Sequence, residues 1–310
     1  MLARTMNLIE ALLPSFTLIF TGHLICRFTK LNRDVWRQID AVVYYLFFPL
    51  LLFYAITKTR IDLAAASELV IAGLLLAAVT IGVALSIPHW PVWGRHIDRR
   101  DHAANAQVGF RFNSFIALGI VSQSAGDAGM LALGVLIGVC VPVLNMAAVF
   151  AMARQGDLHW MQQLRRNPLV WATIGGLVFN VVGLSVPHWL SPTLGRMGDV
   201  GLVLGLMAAG AGMKLMDLRS AKLLALSVLM VRHLVAPLTA AGLVLMFKFD
   251  ATTAMVLLTF AAVPTASSGY VLAASMGYNG GLVAAVITLS TLAALASLPF
   301  SLAVLLPLVS

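Results

Sequence analysis

Long apolar runs separated by short polar stretches dominate the chain, and Pro or Gly stands at many of the boundaries. The hydrocarbon core of a bilayer is about 30 Å thick, so a helix that crosses it needs about 20 mostly apolar residues. We number the runs of that kind spans 1 to 10, and their limits are 8–26, 37–57, 67–87, 104–125, 128–153, 168–187, 198–216, 221–247, 251–275 and 280–307. The pattern predicts an all-helical protein that crosses the membrane ten times.

The composition agrees with this pattern. Hydrophobic residues make up 60% of the 310 residues and charged residues 10%. An average soluble domain contains about 25% charged residues, so the composition excludes a soluble enzyme and a disordered chain. A net charge of +8 would suggest a nucleic-acid partner for a soluble domain. Here the positive charges lie mainly between the apolar runs, and the predicted partner is the lipid bilayer rather than nucleic acid.

Lys and Arg residues cluster in alternate connections. Most of the 20 follow spans 1, 3, 5 and 7, and few lie on the opposite side. Cytoplasmic connections carry the excess of positive charge in membrane proteins. The bias therefore predicts that these connections are cytoplasmic and that both termini lie outside, in a multi-pass protein of the inner (plasma) membrane.

Ten spans divide into two sets of five. Because five is odd, the second set enters the membrane from the opposite side, which gives an inverted repeat, a common plan of secondary transporters. The predicted units are residues 1–153 and 168–310, joined by a short cytoplasmic loop at 154–167.

Polar and helix-breaking residues interrupt span 9, namely Pro264, Thr265, Ser267, Ser268 and Gly269. Proline removes a backbone donor and clashes with the preceding turn. Unwound backbone at membrane depth is tolerated only where protein or a water-filled cavity surrounds it. A helix that restarts there would direct its positive N-terminal end into the cavity, which favours an anion. The alternative is an ordinary proline kink with Ser and Thr packing.

Span 4 contains a second polar interruption, at Arg111, Asn113 and Ser114. An arginine with an amide and a hydroxyl nearby supplies donors that suit a carboxylate. In the alternative, Arg111 extends to the nearby membrane surface. Interrupted spans in corresponding positions of two halves indicate a transport site.

Arg232 lies near the middle of span 8, where an arginine costs about 2.5–3.5 kcal/mol on insertion scales. Its partner is an acidic residue, the exposed carbonyls of a broken helix, or a substrate anion. The alternative is that Arg232 extends to the membrane surface. Asn145 in span 5 is a further candidate for substrate binding. Ser290 and Thr291 in span 10 are candidates for structural support, because small hydroxyl residues in membrane helices are often packing contacts.

Two carboxylates, Asp40 and Asp127, lie near span ends. Each can bind a proton or cap a helix, and capping or solvation is the favoured interpretation. The sequence contains no HExxH motif and no phosphate-binding Gly-rich loop, and His96 and His102 have poor spacing for a metal site. We therefore predict no catalytic residue, no metal site and no cofactor.

Four passages together resemble the auxin efflux carrier family in its prokaryotic, short-loop form. They are Phe47–Leu50, Asn113–Ile116, Gly210–Met213 and Pro264–Ala273. The resemblance extends over essentially the whole chain, and the span 9 passage is the most specific of the four. Gly119 stands near a position where the family often has proline, so the break in span 4 is expected to be softer.

The resemblance implies a ten-helix, inverted-repeat carrier of small organic anions, such as auxin in plants and malate or malonate in bacteria. Spans 1, 2, 6 and 7 are then the scaffold and the homodimer side, and spans 3–5 and 8–10 are the transport part, which moves like an elevator. The site lies where the broken spans 4 and 9 cross, at Asn113, Ser114 and 264–268.

The more distant bile acid sodium symporters share this architecture. The coupling ion, a proton or sodium, therefore stays open, and a sodium-coupled importer is the alternative. A membrane receptor or channel without alternating access is the alternative from another class.

Overall fold

The computed structural model describes residues 20–58, 67–154, 168–212 and 221–309, together with Pro14, Thr17 and Leu18. Every regular element among these residues is helical, which confirms the predicted all-helical class. The helices are α1 (20–28), α2 (Arg33–Val42), α3 (Phe48–Lys58), α4 (Ser67–Ser86), α5 (Arg99–Phe110), α6 (Ser114–Ser124), α7 (Gly126–Ala153), α8 (Pro168–Val181), α9 (Ser191–Gly212), α10 (Lys222–Met230), α11 (Ala236–Phe247), α12 (Ala251–Ala262), α13 (Ser268–Ser275), α14 (Gly280–Phe300) and α15 (Leu306–Val309).

Several predictions fall on residues that the structure does not describe. The first part of span 1 lies outside the described residues, as does the loop 154–167 apart from Arg154. The same holds for Met213 at the end of the Gly210–Met213 passage and for the side chain of Asp127.

Four helical stretches in the described part of the chain are long and apolar enough to cross a membrane. They are Ser67–His89, Leu131–Ala153, Lys222–Phe247 and Gly280–Val309. Together with the composition, they identify a multi-pass membrane protein. The count of ten spans and the inverted repeat stay predictions.

Two helices begin earlier than the hydropathy pattern predicts. α5 begins at Arg99 rather than at 104, because the Asp98 carboxylate accepts the N–H of Asp101 at 2.8 Å and caps the helix. α9 begins at Ser191 rather than at 198. Both starts lie in polar sequence, which a search for apolar runs does not detect.

Three π-helical turns join consecutive helices into longer ones, and each of them ends shortly before a proline. The turns are Val43–Phe47, Val231–Val235 and Ser301–Leu305, and the prolines are Pro49, Pro237 and Pro307. Proline has no N–H for the carbonyl four residues earlier and clashes with it, and a wider turn relieves the clash. The helix therefore continues through each proline with a local change of register.

The helices form two packing groups. α2, α3, α8 and α9 pack largely against one another, and α4–α7 pack against α10–α14. Close approach of α9 to the α2–α3 helix depends on glycine, since a Cβ at Gly201 would lie 2.5 Å from the Phe47 Cβ and one at Gly198 would lie 2.8 Å from Leu51 Cδ1. α13 links the groups, because it contacts α2 and α9 as well as α5 and α14.

Candidate functional site

Two interruptions of the helical backbone define the candidate site. Arg111–Asn113 separates α5 from α6, and Val263–Ser267 separates α12 from α13. We call these two segments together the break region. Gly119 lies inside α6, so the backbone opens before that glycine and not at it.

The two segments are in direct contact. The backbone N–H of Asn113 donates to the carbonyl of Pro264 at 2.8 Å. The rings of Phe112 and Phe260 lie beside this bond, with centroids 4.0 Å apart. A hydrogen bond between the backbones of two interrupted helices is possible only because both have left the helical hydrogen-bonding pattern at this point.

Local sequence explains where each helix stops and restarts. The Asn113 Oδ1 accepts the N–H of Ile116 at 3.3 Å and so begins α6. In the other segment, Val263 is extended and its N–H makes the last bond of α12, to the Thr259 carbonyl. Pro264 follows with no N–H to continue the helix.

Arg111 lies inside the protein and not at its surface, since its side chain is only 6% exposed. Its Nη1 donates to Gln107 Oε1 at 2.7 Å, and its Nη2 donates to Ser268 Oγ. The guanidinium therefore spans from the first interrupted helix to the start of α13. This placement contradicts the alternative in which Arg111 extends to the membrane surface.

Gln107 orients Arg111, and the sequence analysis missed it. Besides accepting from Arg111, its amide donates to the carbonyls of Ala104 and Gly269. A Cβ on Gly269 would lie 3.2 Å from Gln107 Oε1, so glycine permits this close approach. The available signal was a buried amide one helical turn before an arginine in an apolar span.

Arg232 supports the second segment from another helix. Its Nε donates to the Val263 carbonyl and its Nη2 to the Phe260 carbonyl, both at 2.8 Å. These two carbonyls belong to the end of α12, where the helix no longer supplies donors. Of the partners predicted for Arg232, the ones observed are the carbonyls at the end of the broken helix.

Ser290 and His233 hold the same segment from α14 and the π turn. The N–H of Thr265 donates to Ser290 Oγ at 3.1 Å. His233 is hydrogen-bonded to Ser290 Oγ at 2.9 Å and to Ser297 Oγ at 2.8 Å. The roles of His233 and Ser297 were not predicted, although a histidine directly after a mid-span arginine was a usable signal.

Three further hydroxyl residues, Thr265, Ser267 and Ser114, lie in or next to the break region. The Thr265 Oγ1 is buried and has no hydrogen-bond partner among the described residues. Ser267 is buried before α13 and does not cap that helix. Ser114 is half-buried at the first position of α6.

Two predicted residues are not joined to the break region. Asn145 is buried in α7, and its Nδ2 has no hydrogen-bond partner among the described residues. The Thr291 hydroxyl donates to the Ile287 carbonyl of its own helix at 2.9 Å, as expected for a packing contact.

Two positive charges, Arg111 in the break region and Arg232 beside it, have no acidic partner among the described residues. Arg111 binds an amide and a hydroxyl, and Arg232 binds two carbonyls. In the described part of the chain, neither guanidinium lies within ion-pair distance of a carboxylate; the ion pair found there is the exposed Arg37–Asp34 contact of 3.4 Å. No group of His, Cys, Asp or Glu among those residues is arranged to hold a metal ion. The groups present there are hydrogen-bond donors and acceptors and two positive charges.

The chain is similar both to a known protein family and to an individual transporter. Residues 113–302 match a family described as membrane transport protein. Over 294 residues the chain is 24% identical to an uncharacterized transporter of Methanothermobacter thermautotrophicus, and the alignment covers 94% of this chain and 96% of that protein. The family match begins at Asn113 and contains all of the second interruption.

Proposed function

Because the chain belongs to the membrane transport protein family, we propose that it is a secondary transporter of a small organic anion, a mono- or dicarboxylate. Membership of the family makes it a membrane transporter and not an enzyme. The proposal adds the class of substrate, the site and the mode of movement.

The observation that supports this proposal is the pair of buried guanidinium groups, Arg111 and Arg232, whose hydrogen-bond partners among the described residues are all neutral. A buried charge without a counter-charge is costly, and a bound carboxylate supplies that counter-charge. Arginine is well suited to this role because its planar donors match the geometry of a carboxylate. A cation would meet repulsion at the same place.

The residues have different roles in this proposal. Arg111 contacts the substrate carboxylate together with donors from both interruptions, and Arg232 balances charge while it holds the end of α12. The remaining donors are Asn113, Ser114, Thr265, Ser267 and Ser268. The N-terminal ends of α6 and α13 add positive potential. Asn145 stays a predicted contact for a substrate that extends toward α7.

The proposed architecture is ten spans in two inverted repeats, 1–153 and 168–310. Spans 1, 2, 6 and 7 form a scaffold that also makes a homodimer, and spans 3–5 and 8–10 move as the transport part. The packing of α2 and α3 with α8 and α9 supports this division. Movement of the break region past that group gives elevator-type alternating access in the inner (plasma) membrane.

The test is binding followed by transport. Thermal unfolding of the purified protein is measured with mono- and dicarboxylates, neutral compounds and cations, each with and without sodium. A ligand at about 100 times its dissociation constant stabilises the folded state by about 2.7 kcal/mol. We expect a carboxylate to give this shift, and saturable counterflow of that carboxylate in vesicles.

A matched pair of variants ties the result to the site. Arg111→Gln removes the charge in the break region, and Arg99→Gln removes an exposed charge from the same helix. We expect the first to lose the shift and the second to keep it. A shift from a neutral compound or a cation alone would contradict the proposal, and a shift that requires sodium would assign the coupling to sodium.

A further inference from the structure

Among the described residues, Asp40 is the one acidic residue that is buried, with 8% of its surface exposed. It lies in α2 one turn before the π turn, so it does not cap a helix N-terminus, and it is not solvated. The favoured interpretation from the sequence was therefore wrong. The hydroxyl of Tyr270 donates to Asp40 Oδ2 at 2.9 Å, which connects α2 to α13.

Arg33 completes the cluster. Its Nη2 donates to the Tyr270 hydroxyl oxygen, and its guanidinium carbon is 5.6 Å from the centroid of the Tyr270 ring. The phenolic hydroxyl thus accepts from a cation and donates to a carboxylate. We call Arg33, Asp40 and Tyr270 the Asp40 latch.

Each charged member of the latch keeps one unused atom. Asp40 Oδ1 and Arg33 Nη1 are buried and have no hydrogen-bond partner among the described residues. An ion pair with a purely structural role is expected to join such atoms directly, because unpaired buried charge is costly. Here Oδ1 remains an open acceptor, and a proton is the smallest species that it can bind.

The latch lies between the two packing groups. Asp40 belongs to α2, in the group with α3, α8 and α9. Tyr270 is buried in α13, two residues after Ser268, which accepts from Arg111 in the break region. The break region cannot move past α2 without breaking the bond between Tyr270 and Asp40.

The groups that act on Asp40 are few. On α2 itself, Asp34 and Arg37 pair with each other on the exposed face. On α13 the titratable residue is Tyr270, and the π turn adds Tyr44 and the exposed Tyr45. The titratable residues of α9 are Arg196 and Asp199. Both are exposed and precede Gly201, which faces Phe47. Within the described ranges, Arg33 is therefore the cation that faces this carboxylate.

We propose that Asp40 is a proton-binding site that controls movement of the break region. A proton from the aqueous phase binds Oδ1 and converts the carboxylate into a neutral acid, and the same proton returns to that phase when the latch closes. Protonation removes the charge assistance from the Tyr270 bond and the attraction to Arg33, since hydrogen bonds to an ionised acceptor are about twice as strong as neutral ones. Acid then opens the latch, and transport becomes faster.

This inference rests on the proposed function, and counterflow measures it. The full chain is placed in vesicles, and exchange of radiolabelled malate is followed at equal pH on both sides. We expect the wild-type rate to rise as the pH falls. Asp40→Asn has a permanently neutral side chain, so we expect it to be fast at every pH and to keep only the pH dependence of malate itself.

Two further variants complete the comparison. Asp34→Asn neutralises an exposed carboxylate of the same helix, and we expect the wild-type profile. Tyr270→Phe keeps the carboxylate but removes the hydroxyl, and we expect fast exchange at alkaline pH. Equal pH profiles for wild type and Asp40→Asn would overturn the latch. So would a wild-type profile for Tyr270→Phe, which also serves if Asp40→Asn does not fold.

A measurement without substrate separates this inference from the proposed function. Infrared difference spectra of the protein between acidic and alkaline buffer report carboxylic acids that titrate. We expect a band that Asp40→Asn removes and Asp34→Asn retains. If neither malate nor any other carboxylate of the thermal panel shows counterflow but the band is present, the proposed function fails and the proton site stands. If counterflow is present and no band depends on Asp40, the proton site fails alone.

Discussion

The two interruptions in the candidate site are stabilised in different ways. The first, Arg111–Asn113, relies mainly on residues close to it in sequence, because Asn113 caps α6 and Gln107 orients Arg111; its backbone bond to the second is the one from the Asn113 N–H to the Pro264 carbonyl. The second, Val263–Ser267, depends on other helices, since Arg232 and Ser290 satisfy its backbone groups. The first contains no proline, whereas the second contains Pro264.

This difference suggests separate roles for the two interruptions: the first binds substrate, and the second depends on structural support from other helices. A segment that is supported mainly by residues close in sequence can position a charged side chain largely by itself. A segment opened by proline leaves carbonyl and N–H groups without partners, and neighbouring helices must supply them. Substitutions around the second interruption should therefore reduce stability, and substitutions in the first should reduce substrate affinity.

The largest effect is expected for Arg232→Met. The variant leaves the carbonyls of Phe260 and Val263 buried without donors, and each unsatisfied group costs about 1–3 kcal/mol. We expect a loss of about 2–6 kcal/mol in the free energy of unfolding, measured by denaturation in detergent. The control is Arg196→Met, which removes an exposed arginine of α9. Equal stability of the two variants would mean that the second interruption does not need its support.

Arg111→Gln should separate affinity from stability. A hydrogen bond that involves a charged group contributes about 1.5–3 kcal/mol, which corresponds to a loss of affinity of about 10- to 100-fold. The readouts are the dissociation constant of the carboxylate found in the thermal panel and the unfolding free energy of the ligand-free protein. We expect the first to change strongly and the second by less than in Arg232→Met. The reverse order would exchange the roles of the two arginines.

The sequence predicts these two interruptions because their chemistry is local. Pro264 and the hydroxyl cluster after it act on their own helix, and Asn113 acts on the next turn. The three π turns are also readable after the fact, since each precedes a proline. The family and the all-helical class were also predictable, because they depend on motifs and on hydropathy, and both predictions are confirmed.

Contacts between distant parts of the chain were not predictable in this way. Gln107 is an ordinary polar residue until its amide is seen against Gly269, on the other interrupted helix. Asp40 was assigned to capping or solvation because nothing in its own segment indicates Tyr270, which lies 230 residues away. Periodicity gives the face of a helix, but it does not give the side chain that packs against it.

Ser290→Ala tests the support of the second interruption on a smaller scale. It removes the acceptor of the Thr265 N–H and one partner of His233. We expect a loss of about 1–3 kcal/mol in unfolding free energy. Thr291→Ala is the matched control, since its hydroxyl bonds only within α14, and it should change stability by less. Unchanged stability of Ser290→Ala would show that the hydroxyl of Ser290 is dispensable.

The smallest effects are expected at the far ends of the two interrupted helices, where their structures are alike. Asp98 caps α5 through the Asp101 N–H at 2.8 Å, and Asp250 caps α12 through the Thr253 N–H at 2.9 Å. Alanine at either position should cost about 1 kcal/mol, a typical value for a lost cap. The Thr253 N–H also lowers the pKa of Asp250.

The Asp250 cap therefore contributes its full stability above the ordinary carboxyl pKa of about 3.9. This contribution is lost as the pH falls through the lower pKa that Asp250 has in the folded protein. Unfolding of Asp250→Ala and the wild type, compared at neutral and at acidic pH, measures this, and the difference between them should shrink in acid. Similar losses in Asp98→Ala and Asp250→Ala would confine the contrast between the two helices to their interruptions. Clearly unequal losses would extend the contrast along their whole length.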